Sequence, residues 1–377
     1  MRIVFVAPPF AGHLYPQVPL AQAAREVGHT VAFVTGERKR AVLAARGFET
    51  LPLASVPEGA MEAIANPPHR VGSNPRLLMQ QLRANLGLMP GIRVDLRELF
   101  ARWRPDVVVA DFVAPVGGFV AQEMGLPWVT TIPSPCVIES KRGTPVYCGG
   151  WTPGWGLRDW LGRMAIRGFK RGVKAWLGAE FRSAGVPELW RADGSEVVYS
   201  PEAILGLGIR ELEFERDWPA CFEMIGPLVE DPEDWSAVKY PAGKKVLVTL
   251  GTHLFWAKER LRVPVADGVS MVVAGSKEYP FVPYARDLGE FDAVVHHGGT
   301  GISYAAILAG KPSLVWPQDF DQFDYAARVE WFGAGTRRGT VEELLARDWP
   351  RLRLLQTAAR AYRPREAFLA RVEAMVR

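Results

Sequence analysis

Apolar runs and helical segments alternate along the first third of the chain. Ile3–Ala7 is a continuous apolar run, as expected for a parallel strand that is covered on both faces. A helix is predicted to begin at Pro16 and to end at Gly28, because proline is favoured in the first turn and glycine just past the last. Further strands are predicted at Thr30–Thr35, Phe48–Leu53, Asp106–Ala110 and Trp128–Ile132, with helices at Arg38–Arg46 and Pro115–Met124. This alternation predicts a doubly wound α/β sheet of strand order 3-2-1-4-5.

The same alternation restarts after a segment rich in Pro, Asp and Glu, residues 226–243. The strands predicted there are Lys245–Leu250, Met271–Ala274, Phe281–Val282, Asp292–Val295 and Ser313–Trp316. The last segment, Leu355–Arg377, is predicted to be helical with a break at Pro364. We therefore expect two Rossmann-like domains that face a cleft, residues 1–225 and 244–360, joined by a linker over residues 226–243.

Composition narrows the class of protein. A chain of 377 residues with 48% hydrophobic residues is typical of a two-domain globular protein. The net charge of +4 is too small and too dispersed to indicate nucleic-acid binding. The cysteines, Cys136, Cys148 and Cys221, lack metal-ligand spacing, and we interpret them as reduced thiols of a cytoplasmic protein. We interpret the opening MRIVFVAPPF as a first strand and not as a signal peptide, because its apolar run is short. The sequence contains no apolar run of about 18 residues that could span a membrane.

A histidine and an aspartate meet at the predicted switch point of the first sheet. Strand 1 leads into AGHLYP, which contains His13, and strand 4 runs into Asp111. Because these strands are neighbours in the predicted order, both residues lie at the crevice beyond the carboxyl ends of the strands. Either residue alone would be interpreted as a surface His or a helix-capping Asp. Together they favour a general base with a carboxylate that orients its ring.

The second half repeats this geometry with a different set of side chains. Its first strand ends in Gly251-Thr252, and a later strand ends in HHGG, residues 296–299, before a helix that opens near Gly301. A diphosphate could lie between the two loops, with His297, Thr252 and the backbone amides around Gly299 and Gly301 as donors. The alternative is a plain glycine turn that packs helix on sheet. One of the two histidines could then be structural, bonded to a neighbouring carbonyl.

The following loop, WPQDFDQ, offers acids and amides, Gln318, Asp319, Asp321 and Gln322. We interpret Asp321 and Gln322 as hydrogen-bonding groups for sugar hydroxyls. Asp319-Phe320-Asp321 is a weak match to a DxD metal site, and imidazole plus a helix end would neutralise a leaving phosphate without a metal. A dinucleotide fingerprint beginning at Gly299 is disfavoured, because Tyr304 occupies the position of its third glycine.

The region Trp151–Trp190 is rich in tryptophan, and its apolar residues roughly follow helical spacing with Arg and Lys between them. We favour an amphipathic helix with its apolar face on the core and its basic face in solvent. One alternative is an aromatic wall for a bulky acceptor of polyketide, terpenoid or flavonoid type. The other is peripheral membrane contact through residues 157–177, at the inner face, by a basic patch on anionic lipid.

Two blocks in the second half, HHGGTGISYAAILAGKP and WPQDFDQFDYAARVEWFGAG, resemble the donor-binding signature of family 1 glycosyltransferases. The similarity is closest to the HHGG group of sterol glucosyltransferases and bacterial antibiotic glycosyltransferases. The opening AGHLYPQVPLAQAAREVGHTVAFVT is similar to that family as well. Residues 55–100 and 135–220 match no named pattern. The resemblance implies a GT-B fold in which a C-terminal helix, residues 361–377, returns to the first domain.

The resemblance also implies roles for individual residues. His13 matches the general base and Asp111 its partner, and His297 matches the diphosphate-binding histidine. The other residues assigned to the nucleotide-sugar donor are Gly12, Gly251, Thr252, Val282 by its backbone at the nucleobase, Gly298, Gly299, Thr300, Gly301, Ser303, Asp321 and Gln322.

The sequence departs from the family at several points. Ile302 stands where a hydroxyl usually contacts phosphate, so Ser303 is assigned in its place. Phe323 replaces a common Pro and Tyr325 a common Asn. The short stretch between Thr252 and Met271 indicates a trimmed first helix of the second domain.

The implied activity is inverting, metal-independent transfer of a hexose from a UDP- or dTDP-linked donor to a hydroxyl of a small hydrophobic acceptor, with no cofactor. Two alternatives remain open at this point: a membrane-surface transferase with a lipid-borne acceptor, and a non-catalytic GT-B activator or binding partner. A nicotinamide-dependent dehydrogenase is disfavoured by the missing third glycine and by the histidine pair.

Overall fold

The computed structural model describes residues 1–72, 74–147, 149–231, 238–252 and 254–376. Within them the chain forms two parallel sheets, each flanked by helices. The predicted linker is covered only in part, because residues 232–237 lie outside the described residues, as do Cys148 and Arg377. Of the described cysteines, Cys136 and Cys221 are free thiols.

The first sheet has seven strands in the order β3-β2-β1-β4-β5-β6-β7. Their bounds are β1 Arg2–Val6, β2 Thr30–Val34, β3 Glu49–Leu51, β4 Val107–Asp111, β5 Trp128–Ile132, β6 Ala203–Gly206 and β7 Phe222–Met224. The predicted 3-2-1-4-5 order is confirmed for the first five strands. The prediction missed β6 and β7, which are short and lie in a region whose sequence pattern is weak.

The helices around this sheet are α1 Ala11–Leu14, α2 Val18–Glu26, α3 Arg40–Ala45, α4 Ala60–Ala65, α5 Pro75–Trp103, α6 Val116–Glu123, α7 Gly156–Trp176 and α8 Gly178–Ser183. The prediction that the first helix begins at Pro16 was wrong. Helical structure already begins at Ala11, and Pro16 lies in a single 3-10 turn, Tyr15–Gln17, between α1 and α2. The long helix α5 was not predicted, although Asn74 caps it by accepting hydrogen bonds from the amides of Arg76 and Leu77.

The second sheet has five strands in the order β12-β11-β10-β8-β9. Their bounds are β8 Lys245–Thr249, β9 Ser270–Val273, β10 Ala293–His296, β11 Ser313–Val315 and β12 Gly335–Thr336. The predicted strand at Phe281–Val282 was wrong, because that segment runs as loop before a helix and Val282 is buried in the core. β8 and β10 pair directly, as predicted for the first and fourth strands of this half, so the predicted switch point does not depend on that strand.

The helices of the second half are α9 Phe255–Lys258, α10 Tyr284–Asp287, α11 Thr300–Ala309, α12 Gln322–Trp331, α13 Val341–Ala346, α14 Pro350–Ala361 and α15 Pro364–Val376. The expected trimming of its first helix is confirmed, since α9 has only four residues. The C-terminal helix α15 packs on the first half: Phe368 and Val372 are fully buried, and the Phe368 ring lies 5.7 Å from that of Phe5.

The two halves meet through a buried core and a buried ion pair. Tyr304 and Tyr325 from the second half pack in one cluster with Ile209 from the first. Beside them, Arg328 in α12 donates to Glu213 at 3.0 Å, and both side chains are almost completely buried. Removing either partner would leave an uncompensated buried charge, so the pair holds the halves in one arrangement.

The helix predicted within Trp151–Trp190 exists as α7, but its predicted orientation was wrong. Its apolar residues, among them Leu157, Trp160 and Met164, are exposed. Its basic residues Arg167 and Lys170 turn inward and pair with carboxylates. The hydrophobic face therefore lies in solvent instead of on the core.

Candidate active site

The first candidate group lies where β1 and β4 end side by side. Val6 pairs with Ala110 in register, so the chain leaves both strands at the same edge of the sheet. The turn after β1 becomes α1, which carries His13, and Asp111 is the last residue of β4. Their side chains meet, with His13 Nδ1 lying 3.0 Å from Asp111 Oδ1.

This contact fixes the orientation of the imidazole. Asp111 is fully buried, and its Oδ1 also accepts a hydrogen bond from the amide of Val113 at 2.9 Å. The His13 side chain is 24% exposed and lies between the rings of Phe10 and Phe112. Because Nδ1 faces the carboxylate, Nε2 is the ring nitrogen left to meet a substrate.

The surroundings of His13 also change its basicity. Burial by itself lowers the pKa of His13, but the charge and hydrogen bond of Asp111 raise it, with a further contribution from Asp321 of the second half. The net effect is a pKa above the ordinary value. The ring is thus a stronger base than a free imidazole, and it faces the opposite half of the molecule.

The second candidate group lies at the matching corner of the second sheet, where β8 and β10 end. Here His296 is the last residue of β10 and is fully buried, and its Nδ1 accepts a hydrogen bond from the amide of Gly298 at 3.0 Å. Burial, and secondarily the neighbouring His297, lower the pKa of His296 to about 3. His296 therefore stays neutral and holds the turn, bonded to an amide and not to a carbonyl.

His297 lies between the two loops that were predicted to hold a diphosphate. A Cβ added at Gly251 would lie 2.6 Å from His297 Cε1, and one at Gly299 would meet His297 Nε2. Only glycine at these positions lets the ring approach both backbones this closely. Gly251 also has a φ of 72°, in the left-handed region.

Helix α11 begins directly after His297. Gly299 is its N-cap, and no side chain caps the helix. The first amides of α11, at Thr300 and Gly301, therefore lie beside the imidazole at the N-terminal end of the helix, where an anion is favoured.

Three of the residues assigned to the donor use their polar groups inside the protein. The hydroxyl of Ser303 is buried and donates to Gly299 O at 2.9 Å, so the phosphate contact assigned to it stays a prediction that requires this hydrogen bond to be exchanged. The amide of Gly298 donates to His296, and that of Gly251 donates to Thr249 Oγ1 at 3.1 Å. Gly298 and Gly251 therefore shape the pocket through backbone conformation and not through their own N–H groups.

The loop after β11 reaches the first half through Asp321. Its Oδ2 accepts a hydrogen bond from Ser134 at 2.5 Å, and Ser134 Oγ lies 2.7 Å from Thr300 Oγ1. Burial raises the pKa of Asp321 despite the hydrogen bond from Ser134 and the charge of His13. Sequence reasoning missed Ser134, although its place just after β5 puts it at the same sheet edge as His13.

Gln322 and Asp319 stabilise this loop and the contact between the halves. Gln322 Oε1 accepts hydrogen bonds from the amides of Gln318 and Asp319, so its carbonyl end belongs to the turn. The buried Asp319 carboxylate accepts the amides of Val71 and Gly72 from the first half, at 3.0 Å each. Asp319 therefore forms a contact between the two halves. The short motif Asp319-Phe320-Asp321 does not indicate this role.

The roles assigned to the remaining predicted positions stay predictions. Gly12 is exposed in α1, and a Cβ there would meet nothing within 4 Å. Thr252 is exposed in the loop after β8, and Val282 is buried by its side chain in the second core. Among the described residues, no group of three or more His, Cys, Asp or Glu side chains is placed to hold a metal ion.

Sequence comparison identifies relatives over most of the chain. Residues 264–354 match the family described as "Erythromycin biosynthesis protein CIII-like, C-terminal domain". A 4'-demethylrebeccamycin synthase from Lentzea aerocolonigenes is 26% identical and covers 89% of this chain and 86% of its own length. A zeaxanthin glucosyltransferase from Pseudescherichia vulneris is also 26% identical, with the same coverage of both chains.

Solved structures match the whole fold. The glycotransferase of kitacinnamycin superposes with a TM-score of 0.74 at 22% identity, covering 100% of this chain and 99% of that one. The Streptomyces sp. SF2575 glycosyltransferase SsfS6, complexed with thymidine diphosphate, gives a TM-score of 0.68 at 19% identity and covers 99% of each chain.

The two parallel Rossmann-like sheets and the matching solved structures define the GT-B fold. Relatives named as glycosyltransferases over most of the chain place it in that enzyme class. Residues 264–354 are of the erythromycin CIII-like type. The chain is similar over 89% of its length to the 4'-demethylrebeccamycin and zeaxanthin enzymes, and over 20% of its length to a sterol 3-beta-glucosyltransferase from Kluyveromyces lactis. The family resemblance and the enzyme class predicted from the sequence are confirmed.

Proposed function

We propose that this enzyme transfers a hexose from a UDP- or dTDP-linked donor to a hydroxyl of a small hydrophobic acceptor, with inversion at the anomeric carbon and without a metal. The observation that carries the proposal is the His13–Asp111 contact of 3.0 Å at the edge of the cleft, with a His13 pKa above its ordinary value. A base of this kind accepts a proton from an attacking hydroxyl. Asp111 stabilises the imidazolium that forms.

In the proposed reaction the acceptor oxygen attacks C1 of the donor sugar from the side of His13. The acceptor O–H bond breaks and its proton passes to His13 Nε2. A new C1–O bond forms as the bond from C1 to the diphosphate oxygen breaks, and the bonding pair leaves with the diphosphate. One displacement from the face opposite the leaving group inverts the configuration at C1.

The second half would bind the donor. His297 and the uncapped start of α11 provide hydrogen-bond donors and positive potential for the charge that grows on the departing diphosphate. Asp321 would bind sugar hydroxyls after exchanging its hydrogen bond to Ser134 for one to the substrate. The residue assignments and the division into domains 1–225, 226–243, 244–360 and 361–377 remain part of this proposal.

Three of the similar proteins support the choice of substrates. Thymidine diphosphate is bound to SsfS6, which supports a dTDP-linked donor beside a UDP-linked one. The 4'-demethylrebeccamycin synthase and the zeaxanthin glucosyltransferase are each named for a natural product, which supports a small-molecule acceptor. The presence of both His13 and Asp111 disfavours a non-catalytic role for the chain.

The test begins with thermal-shift titrations of dTDP, UDP and their glucose conjugates, because a ligand that binds only the folded state raises the Tm. The donor that binds is then incubated with a phenolic acceptor, and the anomeric configuration of the product is read by NMR. We expect a β-glucoside from the α-linked donor. A product that keeps the α configuration would contradict the proposal. So would transfer that occurs only after a divalent metal is added.

A further inference from the structure

The outward face of α7 is almost entirely apolar. Along its 21 residues the exposed positions are Gly156, Leu157, Trp160, Leu161, Met164, Ala165, Gly168, Phe169, Arg171, Gly172, Ala175 and Trp176. Trp176 is 70% exposed, and Trp155, just before the helix, is 69% exposed. A continuous apolar face of this kind on a folded protein marks a surface that contacts something else.

The inward face of the same helix carries its charges. Arg167 and Lys170 each lie within 2.9 Å of Glu139, and Lys170 also pairs with Glu196. These carboxylates are at most 10% exposed, and the charge of Lys170 lowers the pKa of Glu139 against the effect of its burial. The ion pairs anchor α7 to the protein, so its apolar face cannot roll inward without breaking them.

The sequence segment that contains α7 has the same net positive charge as the whole chain. Residues 139–196 contain ten Lys or Arg and six Asp or Glu, a net charge of +4, which equals that of the entire chain. The other residues therefore sum to zero. Arg171 on the face, and Lys141 and Arg142 on the turn that Arg163 contacts, are exposed.

We propose that the apolar face of α7 docks on an anionic lipid surface. A helix of this length, about 30 Å, lies in the interfacial plane of a bilayer with its apolar side in the acyl boundary. Tryptophans at both ends suit that boundary, since their rings are apolar and their N–H groups reach water. The exposed cations supply attraction to anionic headgroups. None of the described helices is both long and apolar enough to cross a membrane, so the contact is peripheral.

The chain that leads into α7 connects this surface with the cleft. Gly150 packs against the backbone carbonyl of Phe323, next to the Asp321 loop. Trp151, which is partly exposed, follows directly and stacks under Arg158. On the proposed function, docking would therefore bring the acceptor side of the cleft to a membrane in which a hydrophobic acceptor dissolves.

Charge favours lipid over a second copy of this chain as the occupant. In a two-fold symmetric contact the same patch meets itself, so Arg171 and its neighbouring cations would face their own copies. Like charges brought together at an interface are unfavourable, whereas anionic headgroups are complementary to this patch.

The test is sedimentation of the full chain with phosphatidylcholine vesicles, with and without phosphatidylglycerol. We expect binding to the anionic vesicles that weakens as salt is raised. The double variant Trp160→Ser, Leu161→Ser should lower the partition coefficient at least about tenfold, because two large side chains no longer enter the lipid. The matched control, Val265→Ser, Leu354→Ser, removes two side chains that are 85% and 71% exposed in the other half and should bind as the wild type does.

A charge variant, Lys141→Glu with Arg171→Glu, tests the same surface without changing its apolar residues. It should abolish the preference for phosphatidylglycerol. Absence of sedimentation with anionic vesicles, or equal loss in the Val265/Leu354 control, would overturn the proposal. So would a wild-type dimer in analytical ultracentrifugation that dissociates in the Trp160/Leu161 variant, because the occupant would then be a second copy. No donor or acceptor is present, so the result is independent of the proposed catalytic function.

Discussion

His13 and His296 occupy corresponding corners of the two sheets, yet they have opposite properties. His13 follows β1 and touches a buried carboxylate, and its pKa is raised. His296 ends β10, accepts a backbone N–H and is sealed in the core, and its pKa falls to about 3. The comparison teaches that position at a switch point brings a histidine to the cleft, while its immediate partners decide whether it can exchange a proton.

His297 gives the comparison a third case. It is adjacent in sequence to His296, but it leaves the core and lies between Gly251 and Gly299 at the start of α11. The role proposed for His297 is to bind the diphosphate and not to accept the proton. One sheet therefore carries the proposed base, and the other carries the proposed phosphate site with a structural histidine beneath it.

The largest effect is expected from His13→Ala. General-base catalysis typically contributes about 10²- to 10⁴-fold, so kcat should fall by that factor while the Kd for the donor diphosphate stays nearly constant. The measurement is steady-state kinetics together with calorimetric titration of the diphosphate. The matched control is His69→Ala, an exposed histidine of the same half, which should retain wild-type kcat. Near-normal turnover of the His13 variant would contradict the assignment of His13 as the base, and His13 would then not differ in function from His296.

A smaller effect is expected from His297→Ala. The loss of a hydrogen bond to a charged phosphate typically costs about 1.5–3 kcal/mol, so the diphosphate Kd should rise at least about tenfold. Calorimetric titration measures this directly. The acid limb of the pH profile should not move, because His297 does not take the proton. An unchanged Kd would mean that the diphosphate lies elsewhere.

Much of this fold could be predicted from the sequence, because β1, β2 and β4 contain continuous apolar runs and, like β5, are bounded by glycine or proline. Neighbouring strands then brought His13 and Asp111 together without any contact information. Short elements such as β6 and β7 carry too few residues for a recognisable period, and they were missed.

The predictions that failed depend on tertiary partners. The helical period of α7 was correct, but the period does not specify which face is buried. The buried face is determined by Glu139 and Glu196, which lie outside α7 in the sequence and form ion pairs with its Lys170. The sequence also does not specify that the hydroxyl of Ser303, assigned to a phosphate, bonds back to Gly299 within the helix.

The most direct test of the central claim, that Asp111 makes His13 a cleft base, is the pH dependence of kcat for the wild type and Asp111→Asn. His13 must be neutral to accept a proton, so wild-type kcat should fall as the pH drops through its raised pKa. Without the carboxylate the pKa of His13 falls, because burial still lowers it. The account predicts a lower plateau and an acid limb displaced to lower pH in Asp111→Asn. An acid limb that stays in place or moves to higher pH would contradict it.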